Sequence, residues 1–205
     1  IDQIDMIDKC GADALRLSFV IGSAPGADAR LYEEKIAGYR NFVNKLWNIS
    51  RFIFGTVKSV KPVKTRPRPK TLADRWILAE FDKLVAMVTK YLDEYKFSPA
   101  GEALYEFTWA KLADWYLEIA KIEKNKDEIL LYILERLLIV WHPFTPFVTE
   151  TIWGQFNTKN LLMVNHWPTA KTVDAKAIKD FGELKALVMK IRNLKLKIIK
   201  ISYLS

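Results

Sequence analysis

The chain has 205 residues, 50% of them hydrophobic and 27% charged, which suits one domain of good size or a domain with a small appendage, and its net charge of +8 favours an anionic partner such as nucleic acid or a membrane surface. A single cysteine, Cys10, excludes an internal disulfide and fits a reducing compartment; with two histidines beside it, no four-ligand zinc cluster is available. Glycine is sparse and concentrated early, at Gly11, Gly22, Gly26 and Gly38, which argues against a glycine-rich phosphate loop, and no apolar run reaches the ~18–20 residues that span a bilayer.

The opening IDQIDMIDKC resembles neither a signal peptide nor a transit peptide, so the expected location is the cytoplasm. There is no initiator Met, and the chain is expected to be a fragment. Met6 to Ile21 reads as helix broken around Gly11. GSAPGAD is rich in turn residues, and ARLYEEKI is expected to be a short extended piece leading into a helix around Asn41. From Thr56 to Lys70 the chain alternates basic residues with Pro62, Pro67 and Pro69, as a linker between helices would.

Ile77, Phe81, Leu84, Val88, Leu92 and Tyr95 then step by three and four, the helical period, and Thr71 with Asp74 forms a capping-box pattern ahead of them. Ser98-Pro99 is expected to open the next helix, with Ser98 as N-cap, running through Leu104, Phe107, Leu112 and Tyr116 to about Lys121. EKNKDE turns into a helix from about Asp127 to Trp141, whose apolar run is cut by Glu135 and Arg136. His142-Pro143 ends that helix. Thr145-Pro146 begins another that ends near Phe156, LLMVNHW is expected to be extended, and a last helix covers about Ala175 to Ile199. Antiparallel amphipathic helices joined by short turns predict an all-α helix bundle of four or five long members, preceded by a less regular lead-in.

The segment NFVNKLWNISRF is unusual. On a wheel at ~100° per residue, Asn41, Asn44, Asn48, Lys45, Arg51 and Phe52 share one face, while Phe42, Leu46, Ile49 and Ile53 make the opposite apolar arc. Asparagine is a poor helix former because its side chain competes for the backbone. A phenyl ring among amides and cations is what recognition of unstacked RNA bases requires: the ring is a stacking platform, amides read base edges, and cations hold phosphates. The competing reading is packing, with Phe52 covered by a neighbouring helix and the asparagines capping loops.

Other polar residues carry less. Helix termination accounts for His142. Trp109 and Trp115 fit packing roles, and Glu33-Glu34 and the acidic turn from Glu123 to Glu128 fit solvated surface. The basic crossing from Lys58 to Lys70 suits either contact with RNA backbone or a flexible solvated linker. In the last helix, Lys185, Lys190, Arg192, Lys195, Lys197 and Lys200 surround a seam of Leu187, Ile191, Leu194, Ile198 and Ile201. That pattern suits an arm along an RNA or a helix on a membrane surface.

Five collinear segments, GADALRLSFV, GYRNFVNKLWNISRF, LADRWIL, ALYEFTWAKLADWYLEIAK and HPFTPFVTETIW, resemble the anticodon-binding region of the valyl-tRNA synthetases, a class I aminoacyl-tRNA synthetase family. The resemblance runs from Ile1 to about Lys197 and fades at SYLS. It implies an all-α bundle of the class I synthetase anticodon-binding type. It divides the chain into a stem-contact region (1–37), the anticodon-binding bundle (38–170) and a basic C-terminal helix leading toward a coiled-coil arm (171–205). It implies that Asn44, Lys45, Asn48, Arg51 and Phe52 bind the tRNA(Val) anticodon loop, Phe52 by stacking, with the second and third anticodon bases as targets. Neither class I catalytic signature is present. The resemblance therefore implies no catalytic residue, metal or cofactor here, with ATP and Mg acting in a parent valine–tRNA ligase whose catalytic domain is a partner in the same polypeptide. The isoleucyl and leucyl enzymes share the architecture and remain an alternative, as does a basic helical protein-interaction module. No membrane partner is expected.

Overall fold

A computed structural model describes residues 2–22, 31–156 and 158–202, with side chains through residue 194. Its regular structure is helical: α1 (Gln3–Cys10), α2 (Ala12–Val20), α3 (Glu33–Thr56), α4 (Leu72–Asp93), α5 (Phe97–Glu106), a π-helical segment (Phe107–Tyr116), α6 (Leu117–Ile122), α7 (Asp127–Trp141), α8 (Pro146–Trp153) and α9 (Ala175–Ser202). Short 3-10 turns follow α8 at Gly154–Phe156 and Leu162–Val164. The all-α bundle expected from periodicity is the architecture found.

α7 organises the core. It is apolar nearly all round, so it must be enclosed, and α3, α4 and α8 pack about it. Leu130, Ile133, Leu134, Leu137, Leu138 and Trp141 of α7 are all fully buried. α3 contributes Phe42, Leu46, Ile49 and Ile53 on the arc that the wheel assigns to the core, and α4 contributes Trp76, Ile77, Phe81 and Val88. Met6, Ala14, Leu15 and Ile36 form a smaller cluster where α1, α2 and the start of α3 meet.

The break at Gly11 has a backbone cause. Its φ of 87° is one that residues with a Cβ adopt only under strain, and α1 and α2 end and start there. The Thr71 capping box is complete, with Thr71 Oγ1 accepting from Asp74 N–H and Asp74 Oδ2 accepting from Thr71 N–H. Asp74 is buried and also accepts from Tyr116 Oη (2.8 Å) and Lys126 Nζ (2.7 Å). This network ties the starts of α4 and α7 to the end of the π segment. Burial opposes ionisation of Asp74, but bonds from Lys126, the Lys70 N–H and Tyr116 outweigh it and hold the carboxyl below its ordinary value.

Four local expectations are corrected. Glu33 to Ile36 are helical rather than extended: two glutamates in the first turn suit the helix N-terminus, and Ile36 is fully buried; residues 23–30, which hold most of the turn-rich loop, lie outside the described residues. Ser98 is not the N-cap of α5, which begins at Phe97; its hydroxyl accepts from Gly22 N–H (2.8 Å) and donates to Glu102 (3.1 Å), fastening the end of α2 to α5. Within LLMVNHW the chain forms a 3-10 turn, closed by the Asn165 amide donating to the Leu161 and Leu162 carbonyls. The basic crossing is packed: Val63 N–H donates to Glu135 (2.9 Å), Arg136 donates to Val63 O (3.1 Å), Lys58 N–H donates to Asp127 (3.1 Å), and Arg66 pairs with Asp82. Its backbone polar groups thus find partners on α7, which a flexible solvated linker would not need.

α9 starts on the bundle and leaves it. Phe181 stacks on Trp76 with ring centroids 4.0 Å apart, Arg75 pairs with Asp174 at 2.8 Å, and Lys185 Nζ lies 5.0 Å from the centre of the Trp115 ring. Burial there lowers the Lys185 ammonium below its ordinary pKa. Beyond it Leu187, Ile191 and Leu194 are exposed, while the side chains of Lys195, Lys197, Ile198, Lys200 and Ile201 lie outside the described residues.

Candidate nucleic-acid interface

One edge of the polar arc of α3 borders the π segment and α6. Between them runs a groove of about 160 Å³ with an apolar floor of Ile49, Ala113 and Leu117. Lys45, Asn48 and Phe52 line it from α3, and Glu118 and Lys121 from α6. Three of the five residues singled out in the sequence therefore share one surface feature. Asn44 and Arg51 lie outside the groove lining and are exposed on the same helix.

Asn44 and Asn48 are exposed and make no hydrogen bond within the described structure, and Arg51 has no ion pair there. The asparagines cap no loop, so that part of the packing reading fails. Their donors and acceptors point to solvent from the middle of a helix, where asparagine is the poorer choice for stability.

Phe52 falls between the two readings of the wheel: the ring is half-buried, packed against the core from the groove side, with Lys121 Nζ 5.6 Å from its centre. The wheel places Phe52 at the edge of the polar arc, and α6 rises along that edge. It is neither a bare platform nor a core residue, since part of the ring still lines the groove.

Lys45 is also held. Its ammonium is 4.8 Å from the centre of the Trp109 ring and 4.0 Å from the Asp114 carboxylate. The π segment explains how both reach it. Five residues advance an α-helix by ~500°, which points them ~140° apart, whereas i→i+5 bonding brings positions five apart onto one face. Trp109 and Asp114 are five apart, and both meet Lys45. The tryptophan is fixed in turn by stacking on Tyr105, centroids 5.9 Å apart, which agrees with its expected packing role.

Sequence reasoning missed Lys121 and Glu118. They lie in a helix of six residues, and their ion pair at 2.6 Å looks like ordinary surface. Their only signal was that DWYLEIAK puts Leu117 and Ala120 inward, leaving Glu118 and Lys121 outward. His142 stays structural: Nδ1 lies 2.9 Å from Thr149 Oγ1, at the α7–α8 corner. Among the described residues no group of three or more His, Cys, Asp and Glu is placed to hold a metal, and no helix is long and apolar enough to cross a membrane.

Residues 74–202 match the family model described as the anticodon-binding domain of tRNA ligase. The valine–tRNA ligase of Carboxydothermus hydrogenoformans is 36% identical over 209 residues, covering 97% of this chain and 24% of the relative. That of Enterococcus faecalis is 37% identical over 211 residues, with the same coverage of 97% and 24%. The chain thus spans about a quarter of the length of the relatives it matches. Among solved structures, agnB2 LeuRS of Agrobacterium radiobacter K84, crystallised as a ternary complex with tRNA and LeuAMS, superposes with a TM-score of 0.71 at 19% identity, covering 87% of this chain and 21% of that one. At that identity the likeness concerns the fold.

Proposed function

Since the chain belongs to the family of anticodon-binding domains of tRNA ligases, we propose that it recognises the anticodon loop of tRNA(Val) as part of a valine–tRNA ligase. The observation that carries this reading is the α3–α6 groove, where a half-buried ring sits beside an amide with no internal partner and between two lysines. An anticodon base would slide against Phe52, Asn48 would read its edge, and Asn44 and Arg51 would engage the neighbouring base and backbone. Lys45 and Lys121, already oriented, would supply cationic charge without having to be ordered on binding.

The wider assignments follow from the same reading. Residues 1–37 would contact the stem-facing part of the parent, 38–170 would form the anticodon bundle, and 171–205 would lead into an arm. The first boundary falls inside α3, so the first two parts would move as one body. Valine activation with ATP and Mg would belong to the catalytic domain of the longer, cytoplasmic polypeptide, and this chain's own work would be binding. The valyl relatives favour this over the leucyl or isoleucyl alternatives.

The test is equilibrium binding of an anticodon hairpin of tRNA(Val) and of hairpins altered at the second or third anticodon base. Preference for the unaltered hairpin by roughly tenfold or more, equivalent to ~1.4 kcal/mol, is expected. Equal affinity for all three would reject anticodon reading.

A further inference from the structure

A second groove lies on a different surface and shares no residue with the first. It holds about 590 Å³ between the proline-rich crossing, α7 and residues 165–171. We propose that it binds phosphate-bearing nucleotides, with phosphate held by Lys64 and Lys171 and a base laid against Trp167.

Three observations carry this. The carboxylates at the groove are already engaged: Glu135, in its lining, accepts from Val63 N–H (2.9 Å), and Asp82 accepts from Lys171 N–H (3.1 Å) and pairs with Arg66. The cations are not so occupied. Lys64 and Lys171 are exposed and make no ion pair among the described residues, so the groove presents an uncompensated positive rim. An aromatic face is fixed beside them: Trp167 is half-buried, and its indole N–H donates to Thr89 Oγ1 at 2.8 Å, which sets the ring plane. The wall opposite is also rigid, because Arg136 lies 3.7 Å from the centre of the Tyr132 ring while donating to Val63 O. Unpaired cations next to a fixed ring are the recognition elements of nucleotide binding, and a ring already held in place loses little freedom on occupation.

The nucleotide has two possible sources, an RNA strand or a free mononucleotide. The full 205-residue chain would be titrated with a uridine octanucleotide and with UMP, between 50 and 200 mM salt, alongside K64A/K171A and the control pair K83A/K159A. Octanucleotide binding by the parent should weaken with salt, and K64A/K171A should make the log–log slope shallower by about 1.4, from two phosphates at ~0.7 each. The control pair removes the same charge elsewhere and should leave the slope unchanged. UMP binding lost in K64A/K171A assigns the groove to free nucleotide; octanucleotide binding that K64A/K171A weakens, without UMP binding, assigns it to RNA; either supports the proposal. Failure of both ligands to bind the parent at 50 mM salt overturns it, as does an equal effect of the two double substitutions, or none from K64A/K171A. All four lysines are exposed, so coincident thermal melts are expected. Neither ligand contains a valine anticodon and no α3 residue is altered, so failure here leaves the anticodon reading standing.

Discussion

The Lys121 ammonium of α6 lies 5.6 Å from the centre of the Phe52 ring of α3. Two helices distant in sequence thus bring a cation and a phenyl ring together at the lip of one groove. A cation over a ring contributes about 0.5–1 kcal/mol at an exposed site, less than the ~1–3 kcal/mol of a stacked base. Were an anticodon base to stack on Phe52 as proposed, it would gain more from the ring than Lys121 does, and Lys121 would stand beside the incoming phosphate.

Phe52→Ala should weaken hairpin binding by roughly 1–3 kcal/mol through loss of the stacking surface. The ring is half-buried, so stability should also fall, but by less than the ~3–5 kcal/mol of a fully buried Phe→Ala. Hairpin titrations and thermal melts on the same protein separate the two effects. A deep loss of stability with normal binding by the folded fraction would make Phe52 purely a core residue.

Lys121→Ala should behave differently. Its ammonium is exposed and ion-paired with Glu118, so stability should change by less than ~0.5 kcal/mol. Hairpin affinity should fall for every anticodon alike, with a salt slope shallower by ~0.7 if one phosphate contact is lost. Selective loss for one anticodon would instead place Lys121 on a base.

Asn48→Ala should cost function and not stability. The amide has no internal partner, and alanine is the better helix former by a few tenths of a kcal/mol, so the melting temperature should hold or rise. Discrimination between the tRNA(Val) hairpin and its second- or third-base variants should fall. Lys45→Ala differs in that it also removes the contacts to Trp109 and Asp114, so some stability should go with it. If Asn48→Ala melted well below the parent, the amide would have a structural duty that the fold does not show.

Asp74 contributes to acid stability. Its folded carboxyl ionises more readily than its ordinary value of 3.8, so it adds stability that is complete above the unfolded pKa and is lost as pH falls through the lower folded one. Asp13 and Glu135, whose carboxyls burial raises, act in the opposite sense: the stability they forgo on ionising returns as pH falls through their folded values. Asp74→Asn should flatten the loss of stability below about pH 4 in denaturant titrations. Asp74→Ala should cost up to ~3–5 kcal/mol at neutral pH, because the buried Lys126 ammonium loses its buried partner and keeps only Glu123 and the Thr71 hydroxyl. An unchanged acid limb in Asp74→Asn would show that other carboxylates dominate it.

Gly101→Ala probes the seam between α2 and α5. A Cβ there would lie 2.7 Å from Ile21 Cγ1, so either the buried Ile21 side chain leaves its rotamer or the helices part. A loss of ~1–3 kcal/mol is expected in a thermal or denaturant melt. A neutral effect would mean that α2 yields without cost.

The amino-acid sequence by itself determined the helices, their core faces and the polar arc of α3. Helical period, the Thr71–Asp74 capping box, the proline stop at Pro143 and the proline start at Pro146 act within a few residues, and such local rules can be read along the chain. The sequence also marked Asn41, Asn44, Lys45, Asn48, Arg51 and Phe52 as one face, because amides, cations and a ring gathered on one side of a helix need no partner in order to be noticed. Only the tertiary structure decided what those residues face. It laid α6 along one edge of the arc, half-covering Phe52 and supplying Lys121 and Glu118. It widened Phe107–Tyr116 into a π segment, so that Trp109 and Asp114 both meet Lys45. It set Ser98 to fasten α2 instead of capping α5, and pinned the basic crossing to α7. Each of these depends on which helix lies beside which, and a side chain's partner across the bundle is fixed by packing many residues away, where no local period or cap carries the information.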